Sequence, residues 1–201
     1  MKKFKNYLIL GLLASTVLFT ACSDDDEAPE EENVVEVFTD VTLIFTNADG
    51  GTVRATAQDP DGVGAQELVV QDEITLMAGA TYTLTYEIQN ALDPNDVEDI
   101  GAEILEEDNE HQFFFSFTEG AFSSPMGDGN IDTASEPINY DDEDENGWNV
   151  GLVTSWTTSS ETLSGGTFRV RLQHQPDVKM ATTGSNDGDT DFDLSFVLNI
   201  Q

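Results

Sequence analysis

The sequence predicts an all-β chain: an antiparallel β-sandwich, Ig-like in general shape, with about seven to nine strands and one short acidic helix. Three observations carry this. Apolar residues recur at every second position through several segments. Each alternating segment is apolar on one side only, which fits sheets with one buried and one wet face. Clusters of Gly, Asn, Asp and Pro separate the segments and supply turn chemistry.

Taken in chain order, residues 41–46 and 53–58 form two alternating runs around Asn47-Ala48-Asp49-Gly50-Gly51, which predicts a first hairpin. Asp59-Pro60-Asp61-Gly62 marks a loop before a weaker run over 68–76. In 81–89, Tyr82, Leu84, Tyr86 and Ile88 face one way, and Thr83, Thr85 and Glu87 the other. Residues 94–108 break the pattern, with Val97, Ile100, Ile104 and Leu105 at helical spacing. Asp93 would cap that helix ahead of Pro94, a favoured first-turn proline. His111, Phe113, Phe115 and Phe117 then share one face. A weaker run covers 150–157. Phe168, Val170 and Leu172 alternate with Arg169, Arg171 and Gln173; Phe192, Leu194, Phe196, Leu198 and Ile200 close the chain in the same way.

The first residues carry an address. Lys2, Lys3 and Lys5 precede an apolar run from Tyr7 to Phe19, too short for a comfortable membrane span. Phe19-Thr20-Ala21-Cys22 looks like a lipobox, in which the Cys22 thiol receives a diacylglycerol and Cys22 becomes the new N-terminus. Residues 1–21 are then a signal peptide, 22–33 a lipidated acidic tether, and 34–201 the sandwich domain. Ser23, Asp24, Asp25, Asp26 and Glu27 read either as a solvated charged linker or as the tag that sends a lipoprotein to the outer face of the outer membrane. Loss of the signal removes three of the seven cations and no acid, so the formal net charge goes from −33 to −36. Such a field repels nucleic acid and anionic lipid and attracts cations. The membrane contact is the N-terminal lipid, and the one cysteine is spent on it, so no disulfide staples the core.

Two sets of residues suggest cations. Asp142, Asp144 and Asn146, followed by Gly147, match the first half of a calcium loop, in which oxygen ligands at alternate positions converge on a hard ion. The twelfth position is Val153 rather than glutamate, so a distant carboxylate would have to complete the cage. Asp187, Asp189 and Asp191 form a second alternating acidic set, and Asp59 with Asp61 a third. The bland reading of all three is solvated acidic turns. The two histidines are more specific. His111 opens one strand and His174 closes another, each on its strand's apolar face. Antiparallel pairing would bring both to one end of the sandwich, where Glu107 and Glu110 would join them as a set for zinc or another transition metal. The bland reading is two half-buried histidines bonded to carboxylates or backbone.

Catalytic signatures are missing from the sequence. It has no Gly-x-Ser-x-Gly elbow, no His-Glu-x-x-His and no free cysteine nucleophile, which favours a non-enzymatic protein. Trp148, beside the acidic loop, is the tryptophan expected to be exposed; Trp156 is expected in the core. Several segments together resemble short Bacteroidota lipoproteins labelled "type 1 periplasmic binding fold superfamily". They are the acidic run after Cys22, Asp59-Pro60-Asp61-Gly62, Asp99-Ile100, Glu110-His111-Gln112, Gly147 with Gly151-Leu152, Leu172-Gln173-His174-Gln175-Pro176 ahead of Lys179, and Thr190-Asp191. The resemblance implies an accessory role in nutrient uptake beside a TonB-dependent receptor. The fold in that label requires alternating βαβ units, whereas the residues here predict strand after strand with one helix. The function expected is ligand binding, with a divalent cation (calcium or zinc) as the candidate ligand. A structural or adhesive surface protein and a carboxylate-dependent hydrolase are the alternatives.

Overall fold

Alternation converts directly into two sheets that share one core. A computed structural model describes residues 36–59 and 67–201. Cys22 and the acidic segment Ser23 to Glu27 lie outside the described residues, as does Asp61. The strands are β1 (Asp40–Asn47), β2 (Thr52–Gln58), β3 (Val69–Val70), β4 (Ile74–Leu76), β5 (Thr81–Asn90), β6 (Glu98–Asp99), β7 (His111–Phe117), β8 (Phe122–Ser124), β9 (Thr154–Thr158), β10 (Leu163–His174) and β11 (Asp189–Ile200); the helix is α1 (Ile100–Glu106). One sheet runs β3-β2-β1-β5-β9-β8, with β6 on β5; the other runs β4-β11-β10-β7. All pairs are antiparallel except β4 with β11.

The first hairpin forms as its turn chemistry requires. The Asn47 Oδ1 accepts the N–H groups of Asp49 and Gly51, and Gly50 takes a φ of 82° that a side chain would disfavour. The run over 68–76 does not form one strand. It divides into β3, which extends the first sheet, and β4, which adds to the second.

The helix is shorter than its spacing predicts. Glu98 and Asp99 pair with Asn90 and Gln89, so the preceding residues are drawn onto the sheet. Asp99 rather than Asp93 caps α1, accepting from Ala102 N. The Asp93 carboxylate instead accepts from Asn95 N in a local turn. Ile100 and Ile104 are buried, while Val97 and Leu105 stand in solvent.

Inward-facing residues of both sheets meet around Trp156, which is fully buried. Its ring centroid lies 5.2 Å from Phe115, 5.5 Å from Phe117, 4.9 Å from Phe122 and 5.0 Å from Phe168. The free edge of β7 is covered by the long connection to β9. Phe113 N donates to Val150 O, Phe117 N to Asp128 O and Phe115 N to the Asn130 Oδ1. Covering an edge in this way removes a template for unwanted strand pairing.

Candidate functional site

The register of β7 with β10 places His111 directly opposite His174. Their rings stack with centroids 4.6 Å apart and planes 5° from parallel. His111 is fully buried and His174 half-buried. The turn from α1 into β7 holds the first ring. Glu110 N donates to Glu107 O at 2.9 Å, and the His111 Nδ1 lies 3.1 Å from that same carbonyl. A carbonyl only accepts, so Nδ1 carries the proton and Nε2 presents a lone pair.

That lone pair points at two carboxylates. Nε2 is 3.7 Å from the Glu36 Oε1 and 3.9 Å from the Asp191 Oδ2. The His111 Nε2, the Asp191 Oδ2 and the Glu36 Oε2 are all buried and make no hydrogen bond. Two separate local features bring the acids here. In β11, Phe192 pairs with Leu172 and Thr190 with Gln173, so Asp191 is an extra residue in a bulge. Its side chain is mostly buried where strict alternation would put it in solvent beside Asp193. Glu36 lies just ahead of β1, two residues before Phe38, whose ring packs edge-on against Phe192 at 5.4 Å.

Electrostatics follow from burial. Desolvation pushes the Glu36 carboxyl up to about 7, with the negative charges of Glu107 and Glu103 adding to it. Desolvation, then Glu36 and Asp189, pushes Asp191 up to about 8. Burial holds His111 down at about 4, so at neutral pH its contacts with the two carboxylates are not ion pairs. The four cationic side chains among the described residues are engaged elsewhere: Arg54 with Glu87, Arg169 and Arg171 with Asp193, and Lys179 with Asp144. Among the described residues, Glu36 and Asp191 therefore lie beside an imidazole lone pair with no cationic side chain paired to them.

Both acids also line a cleft of about 400 Å³. Its wall includes Glu67 and Thr190 on the polar side, and Phe38, Leu68, Phe192 and Leu194 on the apolar side.

The sequence-predicted partners of the histidines fall differently. The Glu110 Oε2 sits 3.4 Å from the His174 Nε2, on the solvent side of the stack. A Glu107 carboxylate oxygen lies within 4.8 Å of ring nitrogens of both histidines, yet its side chain is exposed and its backbone carbonyl does the orienting. Glu36 was not legible as a candidate, because it lies outside any strand pattern. Asp191 was visible as one of the alternating acidic set Asp187, Asp189 and Asp191 and not as a partner of His111, since the bulge that turns it inward has no sequence signature in this chain.

The calcium-type loop is filled by its own protein. The Asp142 Oδ1 accepts from Gly151 N and its Oδ2 from Val153 N. The Asp144 Oδ1 accepts from Asn146 N and Trp148 N, while its Oδ2 meets the Lys179 ammonium at 3.1 Å. Lys179 also donates to Asp108 O. Lys179 and Asp144 side chains are 1% and 0% exposed. A lysine charge thus occupies one oxygen of an expected calcium ligand, and the carboxylates that would hold the ion close a backbone turn. Trp148 beside this loop is half-buried.

No family model, no curated protein and no solved structure matches this chain. Any functional reading therefore stands on the chemistry of the site itself.

Proposed function

We propose that this chain is a non-enzymatic binding lipoprotein, anchored through Cys22 in the outer membrane and facing the cell exterior, that captures a cationic ligand at the histidine end of its sandwich. Handing that ligand to a neighbouring TonB-dependent receptor would complete the role. The observation that carries the reading is the acidic cleft, whose Glu36 and Asp191 carboxylates are mostly buried and have no cationic side chain among the described residues to balance them. Buried carboxylates without a counter-charge are costly, and a bound cation removes that cost. The surrounding field helps, since a strongly negative chain concentrates cations near its surface.

The test is a thermal-shift screen of the full chain in detergent against divalent metals, polyamines, basic peptides, haem and neutral sugars. Cations that bind the native state raise its melting temperature by mass action. Stabilisation by sugars alone, or by nothing in the panel, would remove the cation-capture reading. Fractionation of cells making Cys22→Ala would test the anchor, because the altered chain should leave the membrane fraction.

A further inference from the structure

We propose that Glu36, the His111 Nε2 and Asp191 form a mononuclear site for a divalent transition-metal cation of the zinc class, with its remaining coordination position open to the cleft. The inference rests on the cation-capture reading and names the cation and its ligands.

The donor set is chosen by what each atom can accept. The His111 Nδ1 proton is committed to the Glu107 carbonyl, and its buried Nε2 makes no hydrogen bond and has a lone pair to offer. A carbonyl behind a metal-ligating imidazole is a common way to fix tautomer and ring orientation. Metal binding displaces any carboxyl protons, and the two ionised carboxylates would then balance a dication and leave the buried set neutral. Calcium takes oxygen donors and gains little from an imidazole, whereas zinc and its neighbours bind imidazole and carboxylate together.

Distances allow this without moving the fold. The ligand atoms all lie within 4.8 Å of one another. A tetrahedral zinc with bonds of about 2.0–2.1 Å sets its ligands about 3.3 Å apart. The Nε2 to oxygen separations of 3.7 and 3.9 Å need to close by roughly half an ångström, within the reach of carboxylate rotation.

The competing set, Glu107 with both histidines, fails on ring geometry. Imidazole lone pairs lie in the ring plane, and the two rings are 5° from parallel with centroids 4.6 Å apart. One ion cannot lie in two parallel planes, so His174 would have to leave the stack. Glu36 and Asp191 both border the cleft while His111 lies behind them, which directs the vacant position outward. Water or a small donor from the cleft would complete the shell, the arrangement of an accessible site rather than a closed structural one.

The experiment uses the full chain in detergent after metal depletion, titrated with zinc by calorimetry and with cobalt(II) by visible absorption. The expected result is one tightly bound zinc per chain and a four-coordinate cobalt spectrum. Glu36→Gln and Asp191→Asn preserve shape and should each weaken zinc binding by roughly tenfold or more, with circular dichroism unchanged. His111→Ala should abolish it. Glu107→Ala keeps the orienting carbonyl and should stay within about threefold of the unaltered chain. Failure of the unaltered chain to bind zinc or cobalt would overturn the site. Equal losses in Glu107→Ala and Asp191→Asn would also overturn it, in favour of the Glu107, His111 and His174 set. If polyamines stabilise the chain and zinc does not bind, cation capture survives and this metal site does not.

Discussion

His111 and His174 face each other across the β7–β10 ladder as a parallel stack, 4.6 Å between ring centroids. Stacking separates their duties. The buried ring is held by the Glu107 carbonyl and aims its free nitrogen inward; the outer ring meets the Glu110 carboxylate at 3.4 Å and covers the first from solvent. His174 thus lies over His111, and the lone pairs of the two imidazoles lie in nearly parallel planes.

That division predicts unequal substitutions. His174→Phe keeps an aromatic face over His111 and should alter zinc affinity by less than about threefold, or ~0.7 kcal/mol. His111→Phe removes the lone pair and should eliminate binding. Calorimetry on both variants checks this, and a large loss in His174→Phe would make the outer imidazole a ligand.

Metal binding should also be visible as stability. Zinc present at about a hundred times its dissociation constant adds about 2.7 kcal/mol to the native state. For a domain of this size each kcal/mol shifts the midpoint by roughly 2–4 °C, so a rise of roughly 5–11 °C is expected. Differential scanning calorimetry with and without zinc measures it. At the same zinc concentration Asp191→Asn, bound at least tenfold more weakly, should show about half that shift or less.

The fold was legible because period two is enforced at each place where a strand has one wet face. Phe192, Leu194, Phe196, Leu198 and Ile200 are all buried, and the intervening Asp193, Ser195 and Val197 are exposed. The paired histidines follow from the same rule, since each ends a strand on its apolar face. The rest of the site depends on departures from the rule. Asp191 has the parity of the wet face and reaches the interior only through a bulge. Glu36 is placed by the packing of Phe38 on Phe192, a contact 154 residues apart in sequence that no local pattern encodes. The calcium-like spacing is ambiguous for a related reason. Alternate carboxylates suit backbone N–H groups as well as an ion, and the lysine that pairs with Asp144 comes from a remote loop.

Lys179 predicts a large stability effect far from the metal site. Its ammonium bridges Asp144 and the Asp108 carbonyl with both charged side chains out of solvent. Removing one partner of a buried pair leaves the other uncompensated, at a cost of about 3–5 kcal/mol. Lys179→Ala and Lys179→Met should both lose stability on that scale in urea unfolding, since methionine restores packing but no charge. Millimolar calcium should recover less than about 0.5 kcal/mol in either variant, because the Asp142 oxygens remain committed to Gly151 and Val153. Full recovery by calcium would reinstate the loop as a calcium site.

The same pair sets a pH window on the acid side. Burial alone would push the Asp144 carboxyl up, but the Trp148 N–H and the Lys179 ammonium outweigh it and hold the group below its ordinary value. A carboxyl whose folded pKa lies below its unfolded one binds fewer protons when folded. It therefore contributes stability above the unfolded value of about 3.9, and that contribution disappears as pH falls through the lower folded value. The stability difference between the unaltered chain and Asp144→Asn should be constant from neutral pH down to about pH 5, then shrink as the aspartate protonates. Urea unfolding of both chains across pH 2.5–7 measures the gap. A gap that instead widens toward acid would mean that Lys179 does not hold Asp144 ionised.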